Sequence, residues 1–157
     1  MNSLMQHQSN LLHETQSMRD DLMAILSDDD LRYRLPGNNV TLGELCKEMG
    51  EIEYAYIESF KSFKQDFSYR CNEPGLTTSV EKMSAWLKSL DDALDATLRG
   101  LSEADLQTRR IDRGFSVPVE VQFHIYREAL LIFYGKASIY LRALEKDLPG
   151  LFPTWIG

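Results

Sequence analysis

"TLGELCKEMGEIEYAYIESFKSFKQDF", residues 41–67, places Leu42, Leu45, Met49, Ile52, Tyr56, Phe60, Phe63 and Phe67 at steps of three and four. That spacing puts all eight on one face of a helix. Thr41 and Glu44 fit a T-x-x-E capping box, in which each side chain satisfies the other residue's free backbone N–H. The segment therefore predicts one long amphipathic helix over 41–67. No strand alternation competes with it.

Three more segments follow the same rule. Val80, Met83, Leu87, Leu90, Leu94 and Leu101 set a stripe over 78–100, where Thr78 and Glu81 fit a second capping box. The first segment, 3–26, is weaker: Leu4, Leu11, Met18, Leu22 and Ile25 hold its stripe, while Gln8 and Thr15 dilute it. The fourth, 116–145, is apolar on most sides, so it should be the most buried; Ser116 is placed to cap it and Pro118 is tolerated in its first turn. Breaks fall at "LPGNN" (35–39), "NEPG" (72–75) and "DRG" (112–114). The expected architecture is all-α, a four-helix bundle in one domain over 1–157.

An internal echo supports two helical hairpins related by a pseudo-twofold. "LSDDDLRYR" (26–34) matches "LSEADLQTR" (101–109) at Leu, Ser, Asp, Leu and Arg, with a constant offset of 75 residues. In both copies the serine followed by acids reads as the cap of a one-turn helix. Glu53 and Glu128 share the same offset and read as equivalent packing positions.

Charge excludes several function classes. The net charge is −7, with 24 acidic against 17 basic residues. Neither nucleic acid nor an anionic membrane surface suits such a chain. The longest apolar run, Ala129–Tyr134, is far short of a bilayer span, and "MNSLMQHQSN" lacks the features of a signal peptide. Cys46 and Cys71 stand apart and in no metal or disulfide pattern. A cytoplasmic location is expected.

Within "FHIYREALLIFYGK" (123–136), His124, Arg127 and Glu128 interrupt the most apolar part of the chain. Residues 124 and 128 are four apart and share a helix face. Followed by Ala-Leu-Leu-Ile-Phe-Tyr, Glu128 should be partly buried, as a base or ligand or, more simply, in an ion pair with Arg127, Arg142 or another helix.

Taken in order, "LSDDDLRYRLPGNNVTLGELCKEMGEIE", "ALDATLRGLSEADLQTRRI" and "YGKASIYLRALEKDLP" resemble the DinB/YfiT-like superfamily of metal-dependent four-helix bundles. The likeness spans nearly the whole chain. The threonine-led "TLGEL" opens that family's second helix, and Gly135, Lys136, Tyr140, Leu141 and Arg142 fit the close of its fourth. The resemblance implies thiol-cofactor-dependent transferases and isomerases among the relatives, and frequent homodimers. It also implies three histidines around nickel, zinc or iron: one on the second helix and an H-x-x-x-H pair on the fourth.

Anchored on those motifs, the three ligand seats carry Glu48, Ala129 and Phe133. Alanine and phenylalanine offer no lone pair to a metal, so no metal is expected at these positions. A rearranged set of Glu48, His124 and Glu128 has acceptable donors for a divalent transition metal (Zn, Ni or Fe). His124 and Glu128 are, however, turned by about 100° from the family's ligand row.

The sequence thus favours a non-catalytic or metal-free bundle that binds a small molecule or partner, or serves in stress, and that forms a homodimer. The alternative is a metal- or thiol-cofactor-dependent transferase or isomerase that uses Glu128 and His124. The tail "LPGLFPTWIG" (148–157) is apolar, and its two prolines exclude helix; it is expected to pack on the bundle end, a dimer partner or a pocket mouth.

Overall fold

The computed structural model describes residues 1–157. Four long helices form the bundle: α1 (Ser3–Ile25), α3 (Leu42–Ser62), α4 (Val80–Gly100) and α6 (Val119–Ala143). Short helices α2 (Asp28–Arg32) and α5 (Glu103–Thr108) sit in the two hairpin loops, and α7 (Phe152–Ile156) closes the chain. Strands β1 (Arg110–Asp112) and β2 (Ser116–Pro118) pair antiparallel, with Ile111 opposite Val117. Both α4 and α6 pack against α1 and against α3, which leaves α1 and α3 on the diagonal. One apolar cluster runs through all four long helices.

The sequence echo is a real structural repeat. Ser27 with Asp30 and Ser102 with Asp105 each form a reciprocal capping box at the start of α2 and α5. Thr41 and Glu44 do the same for α3. The repeat does not extend to Glu53 and Glu128: Glu53 is fully buried, whereas Glu128 is exposed.

Four expectations need correction. Instead of reaching residue 67, α3 stops at Ser62, where Phe63 turns left-handed at φ 59°. There the backbone is captured sideways. Asp112 N–H donates to Phe63 C=O, Gln65 N–H donates to Asp112 C=O, and the Arg109 guanidinium covers the Phe63 ring at 4.5 Å. Phe67 is left 45% exposed, off the stripe.

The second capping box fails because Leu76–Thr78 winds as a 3₁₀ turn, so Ser79 caps α4 by accepting from Lys82 N–H. Ser116 is drawn into β2, and α6 begins after Pro118 with no side-chain cap. In the tail, α7 forms despite its proline, because Pro153 sits in the first turn, where no N–H is needed. Phe152 is fully buried against Tyr134, with ring centroids 5.1 Å apart. Trp155 Nε1 donates to Glu14 Oε1 at 3.2 Å. Of the three places considered for the tail, the bundle itself receives it.

Close approach of α3 to its neighbours depends on two glycines. A Cβ on Gly43 would collide with the Thr77 carbonyl, and one on Gly50 with the Trp86 ring. Gly43→Ala meets rigid backbone, so it is expected to lower stability by about 1–3 kcal/mol, read as a drop in the urea midpoint at unchanged slope. Phe152→Ala is expected to cost about 3–5 kcal/mol; an unchanged melting temperature would show that the tail does not belong to the core.

Candidate functional site

The three positions singled out by the family resemblance come together in space. Glu48 on α3 and Ala129 and Phe133 on α6 line one cleft of about 120 Å³, with Leu45, Met49, Ile52, Ile132 and Lys136. Phe133 is buried and Ile132 is 61% exposed. The walls are mostly apolar, with Glu48 and Lys136 as the charged groups.

As a donor set the cleft does not fit the family's metal: of the three seats only Glu48 has a donor atom. His124 and Glu128 are not among the residues that line it. His124 is half-buried beside Phe123, at a ring-centroid distance of 5.3 Å, and Glu48 and Glu128 are exposed. Nowhere do three His, Cys, Asp or Glu side chains converge as metal ligands would, so Glu48, His124 and Glu128 are not assembled into a site. The partial burial expected of Glu128 is also corrected, because its face of α6 turns to solvent. Arg127 pairs elsewhere, donating to Thr15 Oγ1 at 3.2 Å from both Nε and Nη2.

The chain's buried charges lie elsewhere, at the middle of the bundle. Arg19 on α1 is 1% exposed. Its Nη2 donates to Asp91 Oδ1 on α4 at 2.5 Å. The same nitrogen lies 2.5 Å from Glu53 Oε2 on α3, without hydrogen-bond geometry. Tyr126 and Tyr134 of α6, both fully buried, complete the surround; Tyr134 OH donates to the Thr15 carbonyl at 2.6 Å. Arg19 Nε and Nη1, both Glu53 carboxylate oxygens and the Tyr126 hydroxyl have no hydrogen-bond partner.

One guanidinium against two carboxylates leaves one negative charge in excess. Burial disfavours charge on Arg19, but Glu53 and Asp91 outweigh it and hold the guanidinium well above its ordinary value. Burial raises Glu53 to about 7 despite the attraction of Arg19, and Asp91 adds to the rise. Burial likewise raises Asp91. Tyr126 is pushed far up by burial and by Glu53, so it stays a phenol. Buried Cys46 is raised to about 12, which removes it as a nucleophile at neutral pH.

A carboxyl that titrates near neutrality has the acidity of a general acid or base. Glu53, however, is wholly enclosed, and Asp91 at 7% exposed is the only carboxylate of the centre near solvent. It sits in the wall of a polar groove between α1 and α4. The centre can exchange a proton but offers a substrate no way in to Glu53.

None of these central residues stood out in the sequence as chemistry, although a signal was present. Arg19 lies between Met18 and Leu22 on the core side of α1, Glu53 between Ile52 and Tyr56, and Asp91 next to Leu90. A cation and two acids on three apolar faces ask for one another.

No protein-family model matches the chain, and no curated protein matches it. Among solved structures, a DinB-like protein (YjoA) from Bacillus subtilis superposes with a TM-score of 0.67 at 18% identity, over 95% of this chain and 97% of that one. The chain therefore has the DinB-like fold, an all-α bundle.

Glu53 gives a pH dependence of definite sign. Its folded value lies above the ordinary 4.5, so between about 4.5 and 7 the folded state holds a proton that the unfolded chain has released. Stability should fall as pH rises through that window. The thermal midpoint is expected to drop by roughly 5 °C between pH 5 and pH 8, and Glu53→Gln should flatten most of that slope. Equal slopes for the two proteins would remove Glu53 as the cause.

Proposed function

We propose that this protein is a non-catalytic, metal-free binding bundle, whose cleft between α3 and α6 receives an apolar group of a small molecule or partner. The observation that carries this reading is the occupancy of the three seats by Glu48, Ala129 and Phe133 around an apolar cleft. The cleft is well below the roughly 300–1,000 Å³ of pockets that enclose a drug-sized ligand. A single aliphatic or aromatic group is the scale of occupant it suits, with Glu48 and Lys136 placed to select polar neighbours of that group.

A second reading concerns the partner. Ile132 is 61% and Ile139 55% exposed, seven residues apart and so on one face of α6. Such a row supports a homodimer in which α6 packs against a second copy.

Protein purified without a histidine tag is expected to contain no stoichiometric transition metal. Methyl resonances of Leu45, Ile52 and Ile132 should shift on titration with toluene, and Ala129→Phe should abolish the shift by filling the cleft. A stoichiometric metal lost in Glu48→Ala would overturn the reading. Light scattering tests the partner: a mass of twice 18.1 kDa that Ile132→Glu halves supports the dimer, and a monomeric wild type excludes it.

A further inference from the structure

The outward face of α6 is symmetric in sequence about Ile132. Ile125 and Ile139 stand seven residues to either side of it, Glu128 and Lys136 four, and Ala129 and Gly135 three. All of them fall within about 60° of Ile132 around the helix. Ile132 and Ile139 are exposed and Ile125 is half-buried, so the row is apolar along its middle. One acid and one base flank it at matched distances.

Two features of this face have no account within the chain. Glu128 and Lys136 are both exposed, and neither belongs to any ion pair of the molecule. They stand about 12 Å apart along the helix axis, too far to satisfy one another. Gly135 is the other feature. A Cβ there would meet nothing within 4 Å, whereas Gly43 and Gly50 are hemmed in by their neighbours. Glycine inside a helix is unfavourable, and nothing in the chain's own packing calls for it at 135.

We propose that α6 packs antiparallel on α6 of a second copy, about a twofold axis beside Ile132, an arrangement that rests on the homodimer reading and fixes its register. Each residue then meets the one at the same distance on the other side of Ile132. Ile125 lies against Ile139 of the second copy, Glu128 against its Lys136, and Ala129 against its Gly135. Each contact forms twice, once on either side of the axis. At the usual 8–10 Å between helix axes, the long Glu128 and Lys136 side chains reach one another, and the small residues leave room for the close approach.

A parallel pairing would set Glu128 against Glu128 and Lys136 against Lys136, like charge on like. An unrelated partner would call for none of this internal symmetry. The twofold also keeps equivalent flanks of the two helices on the same side. The two α3–α6 clefts, whose walls include Ala129, Ile132 and Lys136, therefore open beside each other, each edged by α6 of the second copy.

The test uses the full chain, with dimer dissociation measured by sedimentation equilibrium at low ionic strength. Glu128→Lys and Lys136→Glu each create two like-charge contacts per dimer, and each is expected to weaken it at least tenfold. The double variant restores both pairs with their signs exchanged and should return to within threefold of the wild type. Gly135→Leu finds open space within the chain, so it should stay folded by circular dichroism and lose the dimer. Under mild copper–phenanthroline oxidation, Ile132→Cys should cross-link. Ile139→Cys should not, because its two copies stand about 21 Å apart along the axis. Cys46 and Cys71 are buried, so the wild type serves as the uncrosslinked control. A dimer indifferent to the single charge reversals or to Gly135→Leu, a double variant no tighter than the singles, or cross-linking at Ile139→Cys would overturn the antiparallel register and leave the α6 dimer standing. A monomeric wild type would overturn both.

Discussion

A single guanidinium, Arg19, stands where the four long helices meet, and the polar organisation of the molecule follows from it. A bare cation there would be prohibitive. Glu53 reaches it from α3 across the diagonal, Asp91 from α4, and the Tyr126 and Tyr134 rings of α6 wall it in. The helices that do not otherwise pack closely, α1 and α3, are thereby tied through the axis. Deleting either acid leaves the other to face the cation, whereas deleting Arg19 leaves two carboxylates with nothing between them. The cation is therefore the member that the arrangement can least spare.

The excess acid has a second consequence. Two carboxylates around one cation cannot both be comfortably ionised in a dry core, which is why burial drives both upward and Glu53 to about 7. The centre is poised between a protonated, neutral state and a net-negative one. Only Asp91 connects it to solvent, so whatever stabilises negative charge at Asp91 from the groove side bears on the whole cluster.

The fold was legible from the chain because apolar spacing and capping chemistry are local. Leu42, Leu45, Met49, Tyr56 and Phe60 are buried on the face predicted for them, and the serine caps of α2 and α5 follow from Ser27 and Ser102. The errors arose where tertiary pairing overrode local preference. Phe63 leaves the helix because Asp112, nearly 50 residues later in sequence, captures its backbone, and Ser116 forsakes its cap for strand pairing with Asp112. The cleft was legible only through the family motifs that fixed its seats. The charge centre was not, since Thr15 looked like dilution of a weak stripe and the spacing of α1 gave Arg19 no partner. In fact Thr15 accepts from Tyr134 through its carbonyl and from Arg127 through its hydroxyl. A polar residue on a core face was a demand for partners, and those partners lay on helices that the spacing of α1 could not identify.

The cleft and the charge centre share α3 without sharing a face. Glu48 and Glu53 are five residues apart, a rotation of about 140° on a helix. One looks outward to the cleft; the other faces the axis. On α6 the same division separates Phe133, in the cleft, from Tyr134, beside the centre. Ala129 and Phe133 therefore line the cleft apart from the central ion cluster. Phe133 belongs to the apolar core as well as to the cleft wall, so the cleft is continuous with the packing of the bundle, while Arg19 and its carboxylates lie on the other side of that packing.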